Sequence, residues 1–143
     1  MQRIMEKSKL KKLIDVAAGR IKADIVIRNC KVVDVFAGRV VPGDIAIADD
    51  RIAGVGVYDG IVVVDARGCY AAPGFIDSHI HIESSYVRPE EIGRLLVPHG
   101  GTTIIADPHE IVNVCGINGL DYMIEAAKGT RLDIKYMLPS CVP

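Results

Sequence analysis

Tryptophan is absent from this 143-residue sequence, phenylalanine occurs twice, and aromatic residues total 5%. A stacking platform for nucleic-acid bases needs aromatics interleaved with basic residues, and no such pattern accompanies the lysines and arginines here. Charge is nearly balanced, 17 basic against 18 acidic residues for a formal net of −1. No overall field therefore draws the chain to nucleic acid or to an anionic surface. No apolar run approaches the roughly 18 residues of a membrane span, and charges interrupt the start where an export signal would be apolar. The four cysteines, Cys30, Cys69, Cys115 and Cys141, contain no CxxC pair. Without an export signal they are expected to be free thiols in the cytoplasm, not a thiolate metal cluster or a disulfide framework. Low-complexity tracts are missing as well, and a composition 50% hydrophobic and 24% charged is that of a chain able to bury a core.

What is present changes period along the chain. Residues 7–18 carry Leu10, Leu13, Ile14 and Ala17 at helical spacing among lysines, and Gly19 stops the pattern. The basic excess of residues 1–22 is thereby explained as the solvated face of a first helix. Short β-rich runs follow at 23–28, 31–36, 44–48, 51–57, 61–65 and 69–71, joined by Gly, Asp and Pro turns. Such spacing predicts a small antiparallel sandwich or barrel-like unit. Beyond Pro73-Gly74 the pattern alternates: strand over 75–82, helix over 89–96, strand over 101–106, helix over 118–128 capped by Asn118, strand over 132–138. Alternation of this kind predicts a parallel sheet with crossover helices. The expected division is an N-terminal helix (1–19), a small β-sandwich-like domain (20–72) and a β/α portion (73–143).

The chemistry concentrates in the β/α portion. His79-Ile80-His81 on a strand sends both imidazoles to one face and Ile80 to the other. Imidazole is a preferred ligand for zinc, iron and related metals, and the end of a strand is where β/α folds place their chemistry. Asp77 and Glu83 share the parity of the two histidines if the strand stays regular. Asp107-Pro108-His109-Glu110 follows the second strand at the corresponding end and offers a further imidazole and two carboxylates, for metal or substrate contact; a turn with Asp107 as cap and His109 solvated is the plainer alternative. Glu110 is also suited to orienting a liganding imidazole. Glu83-Ser84-Ser85 either contacts a ligand or forms the next loop. His99, at the far end of a helix, is expected at the opposite, structural end of the sheet.

Several segments carry a family resemblance. Ala72-Pro73-Gly74-Phe75-Ile76-Asp77-Ser78-His79-Ile80-His81 resembles the opening metal motif of the amidohydrolase superfamily. With Ile82-Glu83-Ser84-Ser85, Pro98-His99-Gly100-Gly101-Thr102-Thr103, Ala106-Asp107-Pro108-His109-Glu110-Ile111, Asn113-Val114-Cys115-Gly116 and Met137-Leu138-Pro139-Ser140-Cys141-Val142-Pro143, the sequence is similar to the adenine deaminase family over residues 8–143. The first motif fits many amidohydrolases; the Asp107 and Met137 segments are far more specific. Gly101 departs from the family pattern, where threonine is expected.

That resemblance implies a TIM-type (β/α)8 barrel joined to a small β-domain. It implies His79 and His81 as ligands of a binuclear centre holding Mn2+ or Fe2+, and adenine as the small-molecule substrate. The implied reaction is adenine plus water to hypoxanthine plus ammonia, in purine salvage, with hydroxide generated at the metal attacking C6. A barrel of this type takes about 250 residues, so 73–143 is expected to hold about three of eight strands. Residues 20–72, whose family counterpart also receives strands from the C-terminal part, are expected to be a composite, incomplete domain. The acid and base of the reaction are then expected beyond residue 143, and the chain is expected to be inactive alone, as an N-terminal piece of the enzyme. A homo-oligomer, or a second chain supplying the missing strands, is the assembly this expectation admits; nucleic acid and membrane are not expected partners. Two alternatives are another cyclic-amidohydrolase-like enzyme and a non-enzymatic, partner-binding fragment.

Overall fold

A computed structural model describes residues 5–139. Ser140, Cys141, Val142 and Pro143, and with them half of the last family motif, lie outside the described residues. The chain divides into two compact units, residues 1–73 and 74–143, each built around its own apolar cluster. Both contain helix and strand, so the fold class is α/β, with one mixed and one parallel sheet.

In the first unit, α1 (Lys7–Ala17) ends at Gly19, whose φ of +68° suits a residue without a side chain. Five strands follow: β1 (Ala23–Asp34), β2 (Arg39–Ala48), β3 (Arg51–Gly56), β4 (Gly60–Asp65) and β5 (Tyr70–Ala71). They form a single sheet in the order β3-β2-β1-β4, with β5 beside the far half of β1. The β1–β2 and β2–β3 pairs are antiparallel, whereas β4 and β5 run parallel to β1. The spacing predicts an antiparallel sandwich or barrel-like unit; the described residues of this unit form one mixed sheet. Its parallel pairs arise because the chain crosses over after β3 and returns on the other side of β1. The predicted break at Asn29-Cys30 is also not a turn. Asn29 adopts φ +58° inside a continuous β1, and the register with β2 shifts between Ile27 and Cys30. Its N–H donates to the Asp44 carboxylate (3.1 Å) and its side-chain amide donates to Asp65 (2.8 Å), which hold the bulge in place.

Val16 of α1 packs with Val26, Ala46 and Ala48 on one face of this sheet. On the other face Ile52, Val62 and Val64 are 66%, 51% and 49% exposed. An apolar face this open is unusual for a finished surface.

The second unit contains β6 (Phe75–Ile80), a 3-10 turn at Glu83–Ser85, α2 (Pro89–Leu96), a second 3-10 turn at Val97–His99, β7 (Gly101–Ala106), α3 (His109–Cys115), α4 (Ile117–Ala127) and β8 (Asp133–Tyr136). The parallel sheet has the order β6-β7-β8. Pro89 opens α2, where its missing N–H costs nothing and Glu90 and Glu91 favour the helix N-terminus. Ile82, Ile92, Ile104, Ala106, Met123 and Leu132 form the core, with Ile80, Ile134 and Tyr136 packed against it. Burying a side chain such as Ile82 or Ile104 completely contributes about 1.5–3 kcal/mol.

Two details differ from the sequence pattern. Asn118 does not cap α4: the position before the helix is Gly116, at φ +61°, and Asn118 lies inside the first turn. A helix occupies His109–Cys115, a segment to which the sequence pattern assigns no element. Pro108, Glu110 in the first turn and Ile111-Val112 were its sequence signals, but seven residues are too few for periodicity to stand out.

Candidate metal centre

The strand register brings the site residues to one level. Ile80 pairs with Ala106, and Ala106 with Tyr136, so the three strands end side by side. His81 and Asp107 each follow immediately, at the C-terminal edge of the sheet. Between them the ladder is prolonged twice: Asp107 N–H donates to the Ile80 carbonyl (2.9 Å), and His81 Nδ1–H donates to the Asp107 carbonyl (2.8 Å). The second bond requires the proton on Nδ1, so the ring nitrogen left for a cation is Nε2.

Buried apolar residues alternate with the polar ones. Ile82, next to His81, and Pro108, between Asp107 and His109, are both fully buried. Each acts as an anchor that fixes its neighbours at the strand end. The His79 and His81 rings lie 5.0 Å apart between centroids, and the His81 and His109 rings 4.6 Å apart, both edge-on. Asp107 Oδ2 is 3.8 Å from His79 Nε2 and 3.4 Å from His109 Nδ1.

These residues make two candidate cation clusters that share His81: His79, His81 and Asp107, and His81, His109 and Glu110. Within each, the donor atoms lie within 4.8 Å of one another. Asp107 Oδ1 and His109 Nδ1 are buried without a hydrogen-bond partner, a costly arrangement unless another electrophile engages them. Mixed nitrogen and carboxylate donors suit a first-row divalent cation. The residues therefore fit a metal centre; with one free ring nitrogen, His81 can serve one cation at a time, so the two clusters are overlapping donor sets.

Other predicted site residues are placed elsewhere. Asp77 accepts the N–H of His79 (3.1 Å). Glu83 does not continue the face of the histidines, because β6 ends at Ile80 and the chain coils into the 3-10 turn. Its Oε1 instead accepts the N–H of Ile111 (3.3 Å), and Ser84 Oγ donates to Glu110 Oε1 (2.6 Å). His99 sits before the N-terminal end of β7, at the other end of the sheet. Tyr136 escaped the sequence reading: its hydroxyl donates to the Met123 carbonyl (2.8 Å), and burial, aided by the Glu83 carboxylate, pushes its pKa up to about 12. No sequence signal separates it from an ordinary strand tyrosine.

A parallel β/α unit with imidazoles and carboxylates converging at its strand ends is the arrangement of a metal-dependent hydrolase. The chain belongs to the amidohydrolase family, whose model matches residues 70–143. It is similar to adenine deaminase 2 of Desulfotalea psychrophila, 73% identical over 139 residues, covering 97% of this chain and 24% of that protein. It is also similar to the adenine deaminases of Ligilactobacillus salivarius (63% over 140 residues; 97% and 24%) and Geobacillus kaustophilus (52% over 136 residues; 95% and 24%). The chain thus spans about a quarter of the length of these relatives. No helix among the described residues is long and apolar enough to cross a membrane.

Proposed function

We propose that these 143 residues form part of a hydrolytic adenine deaminase, converting adenine and water to hypoxanthine and ammonia. The observation that carries the reading is the pair of cation clusters joined at His81, on a chain 73% identical to a protein of that name. His79 and His81 hold the cation through imidazole nitrogen, and Asp107, His109 and Glu110 complete the two clusters. Mn2+ or Fe2+ suits a set of this kind. When bound, such a cation acidifies water and so supplies the nucleophile that adds at C6 near neutral pH.

The chain's own residues orient that centre. Asp107 carbonyl holds the His81 ring with Nε2 free, and Asp107 Oδ2 lies within reach of the His79 and His109 rings. A general acid must still protonate the C6 amino nitrogen so that it leaves as ammonia, and the activity belongs to the whole protein. In this reading residues 73–143 are β/α units of a TIM-type barrel, and 20–72 contribute one layer of a sandwich-like domain. The open apolar face at Ile52, Val62 and Val64 supports the second assignment.

The test is metal content and ammonia release from adenine by the full-length protein, beside H79A and H81A variants. Loss of both bound metal and turnover in the variants is expected. Full turnover without His81 would overturn the ligand assignment, and an adenine-inert, metal-loaded protein would overturn the substrate.

A further inference from the structure

We propose that Glu83 and Ser84 are positioning residues that strap the first turn of α3 to the segment following β6, and so set His109 and Glu110 against His81. The inference rests on the metal reading above, but its geometry stands independently of any ion.

The first N–H groups of a helix have no partner within the helix. At α3 the preceding residue is Pro108, which makes no side-chain cap. Ile111 is the third residue of the helix, and its N–H is the group a capping side chain ordinarily takes. Here Glu83 takes it, from 28 residues earlier in the chain (3.3 Å). One residue on, Ser84 Oγ donates to Glu110 Oε1 at 2.6 Å. Two consecutive residues thus grip two consecutive residues of the helix.

Both ends of the strap are themselves held. Ile82, between His81 and Glu83, is fully buried in the core. Ser85 donates through its hydroxyl (2.6 Å) and its N–H (3.0 Å) to the Ile82 carbonyl, closing the turn that presents Glu83. On the helix side Ile111 packs against the same core. Ser84 uses one Glu110 oxygen and leaves the other for a cation. Glu83 holds the backbone through Oε1 alone, and its Oε2 is buried without a hydrogen-bond partner.

The assignment separates Glu83 from a ligand by the response to an amide. Glutamine keeps a carbonyl oxygen that can accept the Ile111 N–H; alanine keeps nothing. In the full-length protein, Mn2+ affinity measured by the electron paramagnetic resonance of free Mn2+ should fall about 10–100-fold in E83A. E83Q should stay within about fivefold of wild type, since a neutral acceptor replaces a charged one. S84A should weaken Mn2+ by roughly tenfold at most. Metal-free amide exchange at Ile111 should quicken by about tenfold or more in E83A and little in E83Q. Equal loss of Mn2+ in E83Q and E83A with unchanged Ile111 exchange would overturn the proposal and make Glu83 a ligand. Wild-type behaviour of E83A in both measurements would overturn it as well. If H81A binds Mn2+ as wild type does, the metal reading fails, and the exchange data alone then decide the strap. Should E83A not fold, E83Q and S84A carry the same comparison.

Discussion

The imidazole of His81 donates from Nδ1 to the backbone carbonyl of Asp107, 2.8 Å away, and in doing so continues the β6–β7 ladder by one side-chain rung. One bond thereby does two things: it satisfies a part-buried main-chain acceptor and leaves Nε2 as the ring nitrogen free to bind.

Asparagine at position 81 separates those two roles. Its amide can donate toward the Asp107 carbonyl, yet it has no second ring nitrogen. H81N is expected to lose at least about 100-fold in divalent cation affinity while costing only about 1 kcal/mol of stability. Calorimetric Mn2+ titration and urea denaturation of the same variant check both halves; a cation affinity equal to wild type would refute it.

Asp107 holds a buried oxygen that no donor satisfies. In the metal-free protein, D107N replaces that charge with a group able to donate to a neighbouring imidazole. It should match or exceed wild type in stability, by up to about 1.5 kcal/mol, when chelator is present. With Mn2+ added the order should reverse, because only wild type gains the binding free energy. Urea midpoints with and without Mn2+ provide the measurement.

Tyr136 has a pKa raised to about 12, first by burial and then by the Glu83 carboxylate. The folded state holds this proton more tightly than the unfolded state, whose tyrosine titrates near pH 10. The contribution is therefore fully present below about pH 10 and is lost as pH rises from there through 12. Y136F should remove that alkaline limb and lower stability at neutral pH by about 1 kcal/mol, through loss of the bond to Met123. Stability curves between pH 8 and 12 test the sign.

Asn29 combines a positive φ with two carboxylate partners. N29A keeps the main-chain bond to Asp44 but loses the one to Asp65 and adds backbone strain, for a cost of about 1–3 kcal/mol. N29G relieves the strain and should be the milder of the two in urea denaturation. The reverse order would show that conformation at the bulge is not what Asn29 provides.

Much of this was readable along the chain. Helical spacing of Leu10, Leu13 and Ile14 marked α1, and Pro89 marked the start of α2. The motif around His79 and His81 needed only the two-residue period of a strand, because both donors lie on one local segment. Strand alternation also pointed to a parallel sheet, which β6, β7 and β8 form. The first unit was less legible: Asn29 looks like a turn in a list of residues, and becomes a bulge only when Asp44 and Asp65 stand on either side of it.

By itself, then, the sequence determined which residues could carry the chemistry and the local periods that present them. Tertiary structure decided their partners. Alignment of Ile80 with Ala106 and Tyr136 is a matter of sheet register, and register is settled by the burial of Ile82, Ile104 and Met123 together. Only after that packing does His81 meet a carbonyl 26 residues away, and Glu83 leave the face of the histidines for the amide of Ile111. Side-chain parity along one strand is local geometry; a hydrogen bond between two strand ends exists only once the core has brought them together.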